Sequence, residues 1–296
     1  MNQGFDRWHP YDETTWSYQI FKRYDDQLGT IGTAHLNALK FSYKVLKEKG
    51  ATWGDPAVSA LETGERFLSS FKTVKDWSDS YNLFDNWVNL NTIVACAANL
   101  ETYVAALVDL GIRSDPGLLF GAPRSIDGAK LLKNGGAKID TDPHVTSCTK
   151  GDWSARIAGL ERLFGPMDPK IKCHHSALED LRNIRNRVGH AFGRDISNAR
   201  NHGARAFHDM ECLTKEKAHG LASVCRAVAR ELDRHVLYQH VGDFETIRFF
   251  ASYHTDKPNL SAMKRAILLK TALGQTGAQL RSKSHLVGLI EYWDAI

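Results

Sequence analysis

Residues 83–111 read LFDNWVNLNTIVACAANLETYVAALVDLG, and the spacing within this stretch decides the fold class. Leu83, Trp87, Leu90, Val94, Ala97, Leu100, Val104 and Leu107 recur every three or four residues. On a helix turning about 100° per residue they line one face. The segment is therefore expected to be a helix of about seven turns that ends at Gly111. An apolar stripe of that length points to the central helix of a bundle.

The flanking sequence has the same character. Thr15 to Glu48 is expected to be helical, with an interruption near Gly29 and Gly32. Asp55 to Lys75 is expected to be a second helix, with Asp55 as its N-cap and Pro56 at its first position. Residues 112–150 hold Pro116, Gly117, Gly121, Pro123, Gly128, Gly135, Gly136 and Pro143. They read as a long irregular insertion with one short helix around Ile126 to Lys133. Helices resume at Trp153 to Phe164 and at His175 to Phe192. After a link from Gly193 to Thr214, a further helix carries Leu221, Val224, Cys225, Val228 and Leu232 on one face. Asn259 to Ile296 reads as one or two more helices, interrupted around Gly274 and Gly277. Strand-like alternation is scarce, so the fold class is all-α. The expected layout is an N-terminal helical segment over 1–80, a main helical domain over 81–250 that contains the insertion, and C-terminal helices over 251–296.

Bulk properties narrow the class without naming a function. The 296 residues carry a formal charge of +4, with 43% hydrophobic and 24% charged residues. That is ordinary for a globular chain, and its mildly basic balance permits an anionic partner without requiring one. The five cysteines, Cys96, Cys148, Cys173, Cys212 and Cys225, are odd in number and form no CxxC pair. This points away from a disulfide framework and towards a reducing, cytoplasmic setting. The polar, aromatic start MNQGFDRWHPYDETTW lacks an apolar signal core, and no membrane span is expected.

The chemistry is concentrated in His175 to Asp195, HSALEDLRNIRNRVGHAFGRD. On a helical wheel Leu178, Leu181, Ile184, Val188, Ala191 and Phe192 fall on one side. Arg182, Arg185, Asn186, Gly189 and His190 fall on the other, within an arc of roughly 140°. Gly189 leaves room beside His190 for a phosphate or another chain. Arginine offers a fixed, permanently charged fork for phosphate oxygens, and histidine exchanges protons near neutral pH.

The run R-N-R-V-G-H, Arg185 to His190, resembles the Arg-x4–6-His motif of the HEPN superfamily of ribonucleases, in which a polar residue such as Asn186 often follows the arginine. Leu181-Arg182-Asn183-Ile184 upstream and Ala191-Phe192-Gly193 downstream are also similar to HEPN sequences. Leu100-Glu101-Thr102-Tyr103 resembles an earlier helix of that bundle, where a glutamate sits in an apolar context. The resemblance spans roughly residues 83 to 245, outside the insertion. It implies an HEPN-like helical bundle and a metal-independent endoribonuclease with no cofactor, leaving 2′,3′-cyclic phosphate and 5′-OH ends. Arg185, Asn186 and His190 would be catalytic, Arg182, Arg187 and Arg194 would bind RNA, and Glu101 would support the site. One motif supplies one histidine, whereas the reaction uses both a base and an acid. A homodimer with a composite active site is therefore expected. A toxin or antiviral-defence role, with an inhibitory or activating protein partner, is implied by the resemblance alone.

The Arg-to-His spacing is not specific by itself. Arg230 with His235, Arg234 with His240 and Arg248 with His254 repeat it closely. Other readings stand beside the nuclease. The same surface could belong to a non-catalytic module that binds RNA or protein. Cys173, His174, His175 and Cys212 raise zinc, at a spacing unlike structural sites. Arg200, His202, Arg205 and His208 make the link basic, fit for an RNA backbone or for solvent. Lys133 to Lys138 is glycine-rich but has no P-loop ending. The aromatic N-terminal segment, Trp8, Trp16, Tyr18, Phe21 and Tyr24, reads as packing more than as base stacking.

Overall fold

The structure, a computed structural model, describes residues 5–61, 71–136, 138–199, 208–253 and 260–296. The chain is 74% helix, and the described residues hold no strand, so the all-α class stands. The helices are α1 (Trp16–Glu48), α2 (Ala57–Leu61), α3 (Val74–Ser114), α4 (Gly128–Lys133), α5 (Asp142–Thr149), α6 (Trp153–Phe164) and α7 (Pro169–Lys172). They continue with α8 (His175–Ala191), α9 (Ile196–Ala199), α10 (Lys215–Val236), α11 (Phe244–Tyr253), α12 (Ala262–Gln275) and α13 (Lys283–Ala295). A 3-10 turn spans Pro116–Phe120, and a π-helical turn, Leu237–Val241, extends α10.

The chain forms two compact units, each discontinuous in sequence. The first comprises Met1–Phe21, Leu100–His175 and Arg226–Ile296, and the second comprises Lys22–Asn99 and Ser176–Cys225. The chain crosses from one to the other within α1, α3 and α10 and at the first residue of α8.

In the first unit the C-terminal part of α3 is buried on more than one side. Leu100, Tyr103, Val104, Leu107, Val108 and Ile112 are all buried; each apolar side chain of this size contributes roughly 1.5–3 kcal/mol by leaving water. Gly111 does not end the helix, which runs on to Ser114. A Cβ at Gly111 would lie 2.6 Å from the Phe164 ring and 3.3 Å from Val236. The glycine is there so that α3, α6 and α10 can approach closely. By length and composition α3 could also cross a membrane; half of its most apolar 18-residue window is buried within the protein.

Residues 112–150 are not an irregular insertion. They contain the 3-10 turn, α4 and α5, with Leu118, Ala129 and Cys148 buried. Their glycines mark close approaches. A Cβ at Gly128 would meet the Arg113 carbonyl oxygen at 1.9 Å, and one at Gly117 the Ala122 oxygen at 2.2 Å. Asp127 caps α4 by accepting from Ala129 N, and the buried Arg7 donates to Asp127 and to Ser114. α5 packs on α6, and α12 on α13.

The start of α1 is fixed in this unit by two buried carboxylates. Asp233 accepts from Thr15 N (3.1 Å), Thr15 Oγ1 (2.6 Å) and Tyr103 Oη (3.0 Å), while Glu245 accepts from Trp16 N (2.9 Å). They satisfy amides that open the helix. Trp16 also packs edge-on against Phe249, and Tyr18 and Phe21 pack against Tyr103. The N-terminal aromatics named here are packing residues.

In the second unit α1 and α3 run in opposite directions, since His35 bonds Asp85 (2.9 Å) and Tyr43 Oη lies 2.8 Å from Ser78 Oγ. α1 is unbroken at Gly29 and Gly32, where an added Cβ would meet nothing within 4 Å. Each glycine costs helix propensity of about 1 kcal/mol but does not break the helix. The expected helix over 55–75 is reduced to α2 before residues 62–70, which lie outside the described residues. The Asp55 carboxylate turns back to Thr52 N and Oγ1 (both 2.8 Å) instead of capping α2. Leu46, Ala60 and Val74 form a small core here, with Tyr43 and Trp77 against it. Leu83 and Trp87, 55% and 37% exposed, do not share the burial of the stripe they begin.

Candidate functional site

The polar face of α8 lies in the second unit. Leu178, Leu181 and Ile184 are buried and anchor the helix. Arg182, Arg185 and Asn186 are half-buried on the far side, and Gly189 and His190 are exposed. Arg185 Nη1 donates to Asn186 Oδ1 at 3.1 Å. Asn186 and His190 are four residues apart and so share a face. A Cβ at Gly189 would meet nothing within 4 Å. His190 has no side-chain hydrogen bond or ion pair among the described residues. Arg185, Asn186 and His190 thus lie on the polar side of α8, within two turns of helix, with Arg185 and Asn186 half-buried and His190 exposed.

The three arginines assigned to RNA binding sit differently. Arg182 pairs with Glu179, one turn earlier on α8. Arg187 grips Glu211 with two bonds, Nε–Oε2 at 2.8 Å and Nη2–Oε1 at 3.0 Å. Arg194 donates to the carbonyls of His208 and Phe192. Arg187 and Arg194 therefore tie the segment after residue 207 to the end of α8. α3 holds the same segment, since Asn86 donates to the Glu211 carbonyl and accepts from Leu213 N (2.9 and 2.8 Å).

The end of α8 departs from the wheel. The helix stops at Ala191, and Phe192 takes a left-handed backbone (φ 52°), as does Gly193 (φ 76°). Gly193 N closes onto the Arg187 carbonyl at 3.0 Å, and Gly193 O accepts from Glu211 N at 2.7 Å. A Cβ at Gly193 would stand 3.0 Å from Leu90 Cδ1, so glycine permits the contact with α3. The reversal turns Phe192 outward. It is 56% exposed instead of continuing the apolar face.

No family model, curated protein or solved structure matches the chain.

Glu101 belongs to the first unit, where it pairs with the buried Arg156 at 3.0 Å. Arg156 is further held by the Gly151 carbonyl and lies over Trp153, so the pair is a structural one in that unit. The competing Arg–His spacings are also committed. Arg234 pairs with Glu231 (2.8 Å) and Asp168 (3.3 Å), His235 Nε2 bonds the Phe164 carbonyl (3.0 Å), and buried His240 Nδ1 bonds Asp115 (3.0 Å). His254 lies outside the described residues, as do Arg200, His202 and Arg205 of the basic link.

Cys173 donates to the Lys170 carbonyl, and His175 Nε2 lies 2.8 Å from Ser154 Oγ. Among the described residues no three His, Cys, Asp or Glu side chains could share a metal ion. Lys133, ahead of the glycine pair, donates to the carbonyls of Trp293, Asp294 and Ile296. It serves the end of α13.

Sequence reasoning missed Glu211 and Asn86, because both act through backbone and side-chain contacts far apart in sequence. It also missed the outward turn of Phe192, for which the following Gly193 was an available signal.

Proposed function

We propose that this chain is a metal-independent endoribonuclease of HEPN type acting on RNA as a homodimer. The observation that carries the reading is the exposed His190 on the polar side of α8 that also holds the bonded Arg185 and Asn186, with nothing close to the Cβ position of Gly189. Arg185 neutralises charge on the phosphate, and Asn186, already bonded to Arg185, orients the cluster. His190 exchanges the proton. In the dimer one His190 takes the proton of the attacking 2′-OH while the partner's His190 protonates the departing 5′-oxygen. The products are a 2′,3′-cyclic phosphate and a 5′-OH. In this reading Arg182 gives up its pairing with Glu179 to contact a neighbouring phosphate. A toxin or defence role in the cytoplasm, under a regulatory partner, follows from the resemblance.

A second reading, a binding module without catalysis, is favoured by the structural engagement of Arg187 and Arg194. The two separate in one experiment. Wild-type and His190→Ala protein are incubated with total RNA in EDTA, and the ends are analysed. Cleavage by wild type alone with cyclic phosphate ends is the expected result. RNA retention without cleavage by either protein would leave the binding module.

A further inference from the structure

Asp168, Glu231, Arg234, His235, Tyr238 and Gln239 line a pocket of about 490 Å³ in the first unit. The proposed chemistry uses none of them. The volume is that of a small-molecule site. Five of the six residues come from the end of α10 and its π-helical turn, a geometry frequent at functional sites. Bonds to other elements fix this backbone. Arg124 donates Nε to the Gln239 carbonyl at 2.9 Å and Nη2 to the Tyr238 carbonyl at 3.0 Å, closing carbonyls that a helix end leaves open. Asp115 holds the Arg124 amide at 2.8 Å and the buried His240 at 3.0 Å. His235 Nε2 donates to the Phe164 carbonyl at 3.0 Å, so Nδ1 of the neutral ring is an acceptor. The Tyr238 hydroxyl and the Gln239 amide make no hydrogen bond among the described residues, and Tyr238 is 43% exposed. The backbone is thus pinned while the side chains facing the pocket keep their polar groups unspent.

The charges in the pocket are opposite and adjacent. Arg234 Nη2 bonds Glu231 Oε2 at 2.8 Å and Asp168 Oδ2 at 3.3 Å. Both bonds use one nitrogen, so Nε and Nη1 keep their donors for an anion. Glu231 Oε1 has Lys170 Nζ at 4.0 Å, beyond hydrogen-bond reach, and keeps its lone pairs for a cation. Among the described residues Asp168, Glu231 and His235 do not form a metal-binding group, so the cation they suit is organic. We infer that this pocket binds a free α-amino acid with an aromatic side chain. The ammonium and carboxylate of an α-amino acid are one carbon apart, so a site meets both only where its own opposite charges touch, as those of Arg234 and Glu231 do. Arg234 takes the carboxylate and Glu231 the ammonium. Tyr238 carries the largest apolar surface of the six residues, which calls for a ring as the ligand's side chain. The inference stands apart from the nuclease reading and shares no residue with it.

The test is calorimetric titration of the full chain with L-phenylalanine and with three relatives that each lack one element. 2-Phenylethylamine lacks the carboxylate, 3-phenylpropionate the ammonium and L-alanine the ring. L-Phenylalanine should bind, and the two single-charge relatives should bind roughly ten- to hundred-fold more weakly. L-Alanine should bind roughly three- to ten-fold more weakly. Glu231→Gln and Arg234→Gln should each weaken L-phenylalanine by about ten-fold or more. Tyr238→Ala should bring L-phenylalanine down to the affinity of L-alanine and leave L-alanine itself unchanged. All three side chains reach solvent, and a thermal midpoint near that of the wild type shows that each variant keeps its fold. Amine binding as tight as that of L-phenylalanine would mark a site for organic cations and overturn the inference. So would silence from all four compounds at about 10 mM, ten times a Kd of about 1 mM, or L-phenylalanine binding untouched by Glu231→Gln and Arg234→Gln. Equal affinities for L-alanine and L-phenylalanine would overturn the aromatic side chain.

Discussion

Arg187 and Glu211 are joined by two bonds of 2.8 and 3.0 Å, and this pair braces the end of α8. Arg187 also accepts from Gly193 N through its carbonyl, and Glu211 donates through its backbone to Gly193 O. The same two residues therefore brace the turn from both sides. A paired, half-buried guanidinium–carboxylate fork contributes about 1 kcal/mol. Arg187→Ala and Glu211→Ala should each lower stability by about that much in urea unfolding, and the double variant should cost little more than either. Strictly additive losses would show that the two side chains do not act as a pair.

The pair also shows what sequence can and cannot reveal about this site. α6 was legible to the residue, and α8 to within one residue at its end, because apolar spacing and local caps are short-range signals. That Arg185, Asn186 and His190 share one helix was legible for the same reason. Residues 112–150 were misread because glycines and prolines signal turns or close contacts equally well. Gly117 and Gly128 are close contacts, a fact that depends on partners elsewhere in the chain. Arg187 looked like a phosphate ligand because its partner Glu211 sits in a link with no periodicity to place it.

Gly111 offers a direct check on this view of the glycines. Its missing side chain faces the Phe164 ring at 2.6 Å and Val236 at 3.3 Å. In an exposed helix Gly→Ala stabilises, but an added methyl in a packed core forces neighbours aside. Gly111→Ala should therefore lower stability by roughly 1–3 kcal/mol. A combined Gly111→Ala and Phe164→Leu variant should recover part of that loss. A stabilised Gly111→Ala protein would show that α6 does not press on α3 as described.

Stability should fall as pH rises from about 4 to about 7 through the carboxylates at the start of α1. Burial raises Asp233 from 3.8 to about 6, against opposing bonds from Thr15 and Tyr103. Burial likewise raises Glu245 from 4.5 to about 7, with Asp233 and Asp12 adding to the shift and the Trp16 amide and Arg248 opposing it. Between the ordinary and the raised values the folded chain holds more protons than the unfolded chain, so each unit of pH costs stability. The contribution is fully present below the ordinary values and is lost as pH climbs through the raised ones. The double variant Asp233→Asn, Glu245→Gln should lack this decline, and urea midpoints taken from pH 4 to 8 on both proteins measure it. Parallel pH profiles would contradict the assignment.

Gly189 should separate stability from activity. Its Cβ position is open, so alanine there meets no neighbour and should stabilise the helix by roughly 0.5–1 kcal/mol. In the proposed reaction that same space is where the phosphate comes up to His190. Gly189→Ala should therefore melt higher while cleaving RNA several-fold more slowly, and Gly189→Val should slow cleavage further. A variant that melts higher and cleaves at the wild-type rate would place the phosphate on another side of His190, away from the Gly189 surface. The role of Arg185 would then have to be re-examined, because it lies one helical turn from Gly189 on the same face.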